Sequence, residues 1–236
     1  MRPLRGILLK LASVLVFIVM ASMIKATAAH VPAGEAVFFR SLFAIPVIVV
    51  WLALHGELAT GFRTANPLGH LWRGLMGTTA MGLGFAGLGL LPLPEVTAIS
   101  YASPLLVVIF AAMFLGEEVR AFRIGAVVLG LTGVLIVLSP RITIAPGSAP
   151  NPAETLGVMV VLFGAFCAAL AQVFVRKLIH TETTATIVFY FSVNSTLLSL
   201  ITLPFGWAMP SPTEAGLLVG AGVLVLAGRS SAAPRS

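Results

Sequence analysis

The chain has 236 residues, of which 58% are hydrophobic and only 9% are charged. Soluble domains carry about a quarter charged residues, so this chain has too little polar surface to coat a water-soluble globule. The formal charge of +6 does not point to nucleic acid either, because the basic residues are scattered at the ends of apolar runs rather than gathered into a patch.

Taken in order, Gly6–Ala29, Ala36–Leu54, Leu71–Leu91, Val96–Leu115, Ile124–Leu138, Leu156–Val175 and Ile187–Trp207 are predominantly apolar, and Ala215–Ala227 adds a shorter run. Most approach the roughly 20 residues that cross a hydrocarbon core about 30 Å thick. Stretches such as Leu105–Leu115 and Val127–Leu138 are apolar on every face, unlike the alternating strands of a membrane barrel. The spacing therefore predicts about eight helices, which satisfy their own backbone in lipid.

Arg2, Arg5 and Lys10 before Leu11–Ile24 and Ala26-Thr27-Ala28 have the outline of a cleavable signal. Lys25 directly before that site, and a counterpart of this segment later in the chain, favour a retained first helix. Eleven of the 14 basic residues fall at one set of alternating connections: Arg2, Arg5, Lys10, Arg63, Arg73, Arg120, Arg123, Arg176, Lys177, Arg229 and Arg235. Only Lys25, Arg40 and Arg141 fall toward the other side. The positive-inside rule then predicts a cytoplasmic N-terminus. Cys167 stands alone in an apolar run, which excludes a disulfide framework.

Pro140–Glu154 is the longest polar connection and reads as a linker between two halves. A shift of 151 residues lays Gly6 on Gly157, Lys25 on Arg176, and Phe38-Phe39-Arg40-Ser41 on Phe189-Tyr190-Phe191-Ser192. This is a weak internal repeat. Five crossings precede the linker, so the second copy enters from the opposite face, the inverted arrangement that places transporter sites near the midplane. The expected layout is a first five-helix repeat over 6–140, a linker over 141–155, a partial repeat of about three helices over 156–227 and a polar tail over 228–236. The second repeat lacks counterparts of the last two helices, which reads as a truncation.

These residues carry a resemblance. Lys25 ends helix one, Phe38-Phe39-Arg40-Ser41-Leu42-Phe43 opens helix two, and Arg73-Gly74 opens helix three. Leu91-Pro92-Leu93-Pro94-Glu95-Val96-Thr97-Ala98-Ile99-Ser100-Tyr101-Ala102-Ser103-Pro104-Leu105 follows, then Phe114-Leu115-Gly116-Glu117-Glu118-Val119 and a fifth helix with Gly125, Gly130 and Gly133. In order and spacing the chain resembles EamA-type members of the drug/metabolite transporter superfamily, well over residues 6–140 and loosely over 156–227. The resemblance implies a multi-pass carrier of the bacterial inner membrane that moves small metabolites or drugs, often outward.

Charges within spans are costly, so Lys25 and Arg40 need a reason. Each lies about 6 Å from a helix end at the helical rise, which permits either snorkelling or cavity lining. Pro104 removes a backbone hydrogen bond in helix four and, with Ser100, Tyr101 and Ser103, offers polar groups to a pathway. Gln172 and Asn194 are polar in apolar runs and suit either substrate contact or bonds between helices. Glu95 and Glu35 read as helix-start carboxylates, and Glu117 and Glu118 as surface partners of Arg120 and Arg123. The many glycines of helix three, and Gly216 with Gly220, read as close packing between helices.

Enzyme motifs are absent: there is no H-E-x-x-H, no G-x-S-x-G and no nucleotide-binding glycine loop, and all eight carboxylates are glutamates. No cofactor or metal is expected. The sequence thus predicts an all-α polytopic bundle of two inverted repeats, acting as a secondary-type carrier by alternating access, most simply an exporter. Its partners are a small-molecule substrate and the bilayer, with room for a homo-oligomer. The alternative is a transport-inactive truncated protein or an assembly subunit.

Overall fold

The computed structural model describes residues 3–56, 58–142 and 152–230. Most of the expected linker, the end of the polar tail, and Arg2 and Arg235 lie outside the described residues. The helices are α1 (Pro3–Thr27), α2 (Ala33–Leu54), a single turn α3 (Leu58–Gly61), α4 (Pro67–Leu90), α5 (Leu93–Ser100), α6 (Ala102–Leu115), α7 (Ala121–Ile142), α8 (Pro152–Leu178), α9 (Thr184–Ser199) with a 3-10 extension over Leu200–Phe205, and α10 (Pro212–Ser230). No strand occurs among the described residues.

Local chemistry sets the boundaries. Asn66 caps α4 by accepting from the Gly69 N–H at 2.9 Å, with Pro67 at the first helical position. Thr183 caps α9 through the Thr186 N–H. Gly116 ends α6 in the left-handed region, at φ +66°. The expected fourth helix is broken at Tyr101 into α5 and α6, although Leu93–Leu115 together are long and apolar enough to span. Pro104 supplies no N–H, so the helix gives way about one turn before it.

Among the described residues, four segments meet the length and hydropathy of a membrane span: Ala33–Leu54, Leu93–Leu115, Pro152–Leu178 and Thr184–Phe205. Together with α1, α4, α7 and α10 they form eight helical passes among the described residues. The chain is a polytopic helical bundle. Its outer surface is apolar, as at Phe122 and Leu129 of α7 and Leu15 and Phe17 of α1, which suits hydrocarbon.

The most extensive packing joins α4 to α8, α2 to α9 and α1 to α10; next come α2 with α10, and α4 with α9 or α6 with α8. The 151-residue shift exchanges α1, α2 and α4 with α8, α9 and α10. Under that exchange the α4–α8 pair becomes α1–α10, and α2–α10 becomes α4–α9. The pair α2–α9 maps onto itself, while α6–α8 has no mirrored pair among the described residues.

At Gly87 of α4 an added Cβ would lie 2.2 Å from Val161 Cγ2 of α8. Only glycine admits this contact, and a core cluster of Phe85, Leu88, Leu91, Val158, Val161 and Ala165 packs around it. Of the expected Gly216 and Gly220 pair, Gly220 meets Met23 of α1 and Gly216 faces open space.

Candidate functional site

Hydroxyls inside a helix commonly bond back to their own backbone, and this chain uses that habit to carry polar groups into its interior. Thr196 donates to Ser192 O, Ser199 to Thr196 O and Thr202 to Ser199 O. Across the helices, the Thr78 and Ser195 hydroxyls lie 2.7 Å apart. Both are buried.

Above that pair is a cavity of about 410 Å³ between α2, α4, α9 and the 3-10 turn. Gly34 and Val37 line it from α2, Thr78 and Thr79 from α4, and Ser199 and Thr202 from the other half. No charged side chain lines it. Leu75, Leu83, Leu198 and Ile201 complete a lining that is mostly apolar with a few hydroxyls, and a cavity of this size holds a small molecule.

The two ends of the bundle differ. At the end bearing Arg63, Arg120, Arg123, Arg176 and Lys177, called here the basic end, polar contacts close the gap between α4 and α9. Glu182 Oε1, in the α8–α9 turn, accepts from the Thr64 hydroxyl at 2.7 Å, the Ala65 N–H at 2.8 Å and the Asn66 N–H at 3.2 Å. Burial pushes this carboxyl up, but those three donors and nearby His70 outweigh it and hold the group below its ordinary 4.5.

His70 Nε2 stands 3.7 Å from Glu182 Oε1, and the imidazole packs against Tyr190 at 4.7 Å. Tyr190 donates to Phe62 O at 3.0 Å, and Asn194 Nδ2 to His70 O at 3.0 Å. One turn on, the Arg73 guanidinium lies 3.7 Å from the Phe191 ring centre, and Gly74 leaves room for Asn194. These layers lie between the basic end and the Thr78–Ser195 pair.

At the opposite end, among the described residues, Glu35 and His30 of the first half meet the α9–α10 region. Glu35 is buried and accepts from the Ala208 N–H at 2.9 Å; it reaches across to the α9–α10 connection rather than capping its own helix as expected. His30 Nδ1 lies 3.1 Å from Glu214 Oε2. Ala33, Gly34 and Thr202 of the cavity lining lie toward this end.

The expected pathway residues are not brought together. Lys25 neither snorkels nor lines the cavity: it donates to Leu88 O and Leu91 O, holding the last carbonyls of α4. Arg40 turns inward, toward the thioethers of Met20 and Met81. Ser100, Tyr101, Pro104 and Gln172 are exposed, Ser103 is half-buried, and the Ser100 hydroxyl returns to Val96 O. Asn194 serves as a bond between helices, donating to His70 O. Glu117 pairs with Arg176 at 3.0 Å rather than with Arg120 or Arg123. The features missed were the hydroxyls of α4 and α9, and His70 with Glu182. Among the described residues no group of three His, Cys, Asp or Glu could hold a metal ion.

The family model described as "EamA-like transporter family" matches residues 4–139, more than half of the chain. The chain belongs to the EamA-like transporter family. It is 30% identical over 225 residues to the pseudopaline exporter CntI of Pseudomonas aeruginosa, an alignment covering 95% of this chain and 75% of that protein. It is 27% identical to an S-adenosylmethionine uptake transporter of Rickettsia prowazekii, over 78% of this chain and 59% of the relative. A riboflavin transporter of Rhizobium johnstonii is 32% identical over 46% of this chain and 35% of its own length. A solved crystal structure matches with a TM-score of 0.63 at 20% identity, covering 91% of this chain and 74% of the other, a likeness of fold. The relatives are small-molecule transporters of the drug/metabolite superfamily, not enzymes, and this EamA-family chain is a multi-pass membrane protein.

Proposed function

We propose that this protein is a secondary-type carrier of small polar metabolites or drugs, working by alternating access around the cavity between α2, α4 and α9. One observation carries the reading: the cavity lining runs from Thr78 to Ala33 and Thr202 at one end, while layered polar contacts join the two halves at the other. A carrier needs such an asymmetry, with a second state in which those contacts are broken and the other end is closed. The mirrored helix pairings support two inverted copies that could exchange these roles.

The concentration of Lys and Arg at the sealed end supports a cytoplasmic location for it, with the N-terminus on that side in a bacterial inner membrane. The cavity then faces outward. Likeness to an exporter over nearly the whole chain supports export, although the relatives include uptake proteins. The mostly apolar lining with its few hydroxyls favours a small substrate that has an apolar body beside its hydrogen-bonding groups. Hydroxyls alone do not select a carboxylate.

The test is comparison by mass spectrometry of growth medium from cells producing the wild type, from cells producing a cavity-filling Thr79→Trp variant and from vector controls. At least one small polar metabolite should be enriched outside by the wild type and less so by the variant. Equal metabolite profiles from all three would refute the export reading.

A second reading has its own observation. The face of α8 covered by α6 maps onto the face of α1 that includes Leu15, Ile18 and Val19, which is exposed among the described residues. An assembly role, with a second copy or another helical partner on that face, fits this asymmetry. A monomer by light scattering of the detergent-purified chain, with flux intact, would exclude it.

A further inference from the structure

The seal at the basic end contains an acid–base pair to which the transport cycle assigns no event. His70 is 1% exposed, and neither of its ring nitrogens makes a hydrogen bond among the described residues. The ring packs against Tyr190 in a tilted contact, 4.7 Å between ring centres. The groups facing it are Glu182 from the α8–α9 turn, Arg73 from its own helix and Tyr190 from α9. Arg176, at the end of α8, is turned to Glu117.

We infer that His70 and Glu182 form a proton-binding site whose occupation opens the basic end of the cavity, an inference that rests on the alternating-access reading above. A neutral imidazole fits this buried site. A proton would add a second N–H donor and a positive charge beside Arg73, on a ring that is 1% exposed.

Glu182 is the facing counter-charge among the described residues, and its Oε1 already serves Thr64, Ala65 and Asn66. If the carboxylate swings to the imidazolium, it releases the segment that closes the gap. If it stays, the imidazolium is driven toward water. Both outcomes part α4 from the α8–α9 turn.

The sign follows from linkage. Histidine in water protonates near about pH 6.5, so acid favours whichever state wets His70 over the one that buries it neutral. At lower pH Glu182 takes a proton as well and loses its three bonds as a carboxylate. The two titrations act in the same direction.

The test uses the full-length chain with Cys167→Ala and a single reporter, Ser195→Cys, in inside-out membrane vesicles with the basic end facing the bath. A membrane-impermeant maleimide is added between about pH 7.5 and about pH 5.5, and rates are divided by those of the denatured protein at the same pH. Ile187→Cys is the second reporter if the first disturbs folding.

Labelling should rise several-fold on acidification. His70→Gln should flatten that rise, while Glu182→Gln should give fast labelling throughout; His55→Gln and His180→Gln, at the same end, should behave as the parent. A rise that survives in His70→Gln overturns the proton-site inference and leaves alternating access standing. Reporters that stay unlabelled in every variant, Glu182→Gln included, overturn alternating access itself.

Discussion

The hydroxyls of Thr78 and Ser195 meet at 2.7 Å, one from each half of the chain, where the open cavity ends and the sealed layers begin. Thr78→Val keeps the side-chain shape but strands the Ser195 hydroxyl. The expected loss is about 1–3 kcal/mol of stability, read as a lower thermal unfolding midpoint in detergent. Ser195→Ala in the same chain should recover part of it, and a double variant no better than Thr78→Val would show that the bond has no net worth.

Gly87 and Val161 test the α4–α8 interface. Gly87→Ala sets a methyl into the space of Val161, an overpacking that costs about 1–3 kcal/mol. Val161→Ala should rescue it, because the clash is with that side chain. Additive losses in the double variant would place the strain elsewhere.

Glu182 sets a pH limit on stability. Its carboxyl is held below the ordinary 4.5, so its contribution is complete above that value and is lost as pH falls through the lower folded-state value. The midpoint of thermal unfolding should drop below about pH 4.5 in the wild type. Glu182→Gln should start lower and lack that component. Parallel curves for the two proteins would remove the carboxylate from the account.

Lys25 is expected to matter for stability rather than for substrate. Lys25→Met removes the donor to Leu88 O and Leu91 O and should cost about 1.5–3 kcal/mol, the range for charged hydrogen bonds. The concentration dependence of flux should stay as in the wild type. A weakened half-saturation with unchanged stability would return Lys25 to the substrate pathway.

Much of the fold was legible because the membrane imposes one dominant requirement, long apolar runs with charges at their ends. The eight helices follow from that pattern, the family from the order and spacing of its motifs, and the break near Pro104 from the missing N–H. The site was less legible. Single charges and a proline are conspicuous in apolar sequence, yet Lys25 serves a helix end, and Tyr101 and Gln172 face outward. Thr78, Thr79, Ser199 and Thr202 look unremarkable because threonine and serine are tolerated almost anywhere in a helix; only the crossing of α2, α4 and α9 gathers them. Likewise His70 and Glu182 are 112 positions apart, and no local spacing signals their meeting.

The bond from Lys25 to the end of α4 spans 63 positions in the chain. During synthesis, then, α1 emerges from the ribosome well before the carbonyls that will receive its ammonium group exist. Until they arrive, this cation has only water and headgroups to turn to, which tethers the new helix at the membrane surface. Arrival of α4 offers a fixed acceptor at that level, so insertion of one helix completes the placement of another. The order in which the chain is made is thereby matched to the order in which its charges find partners.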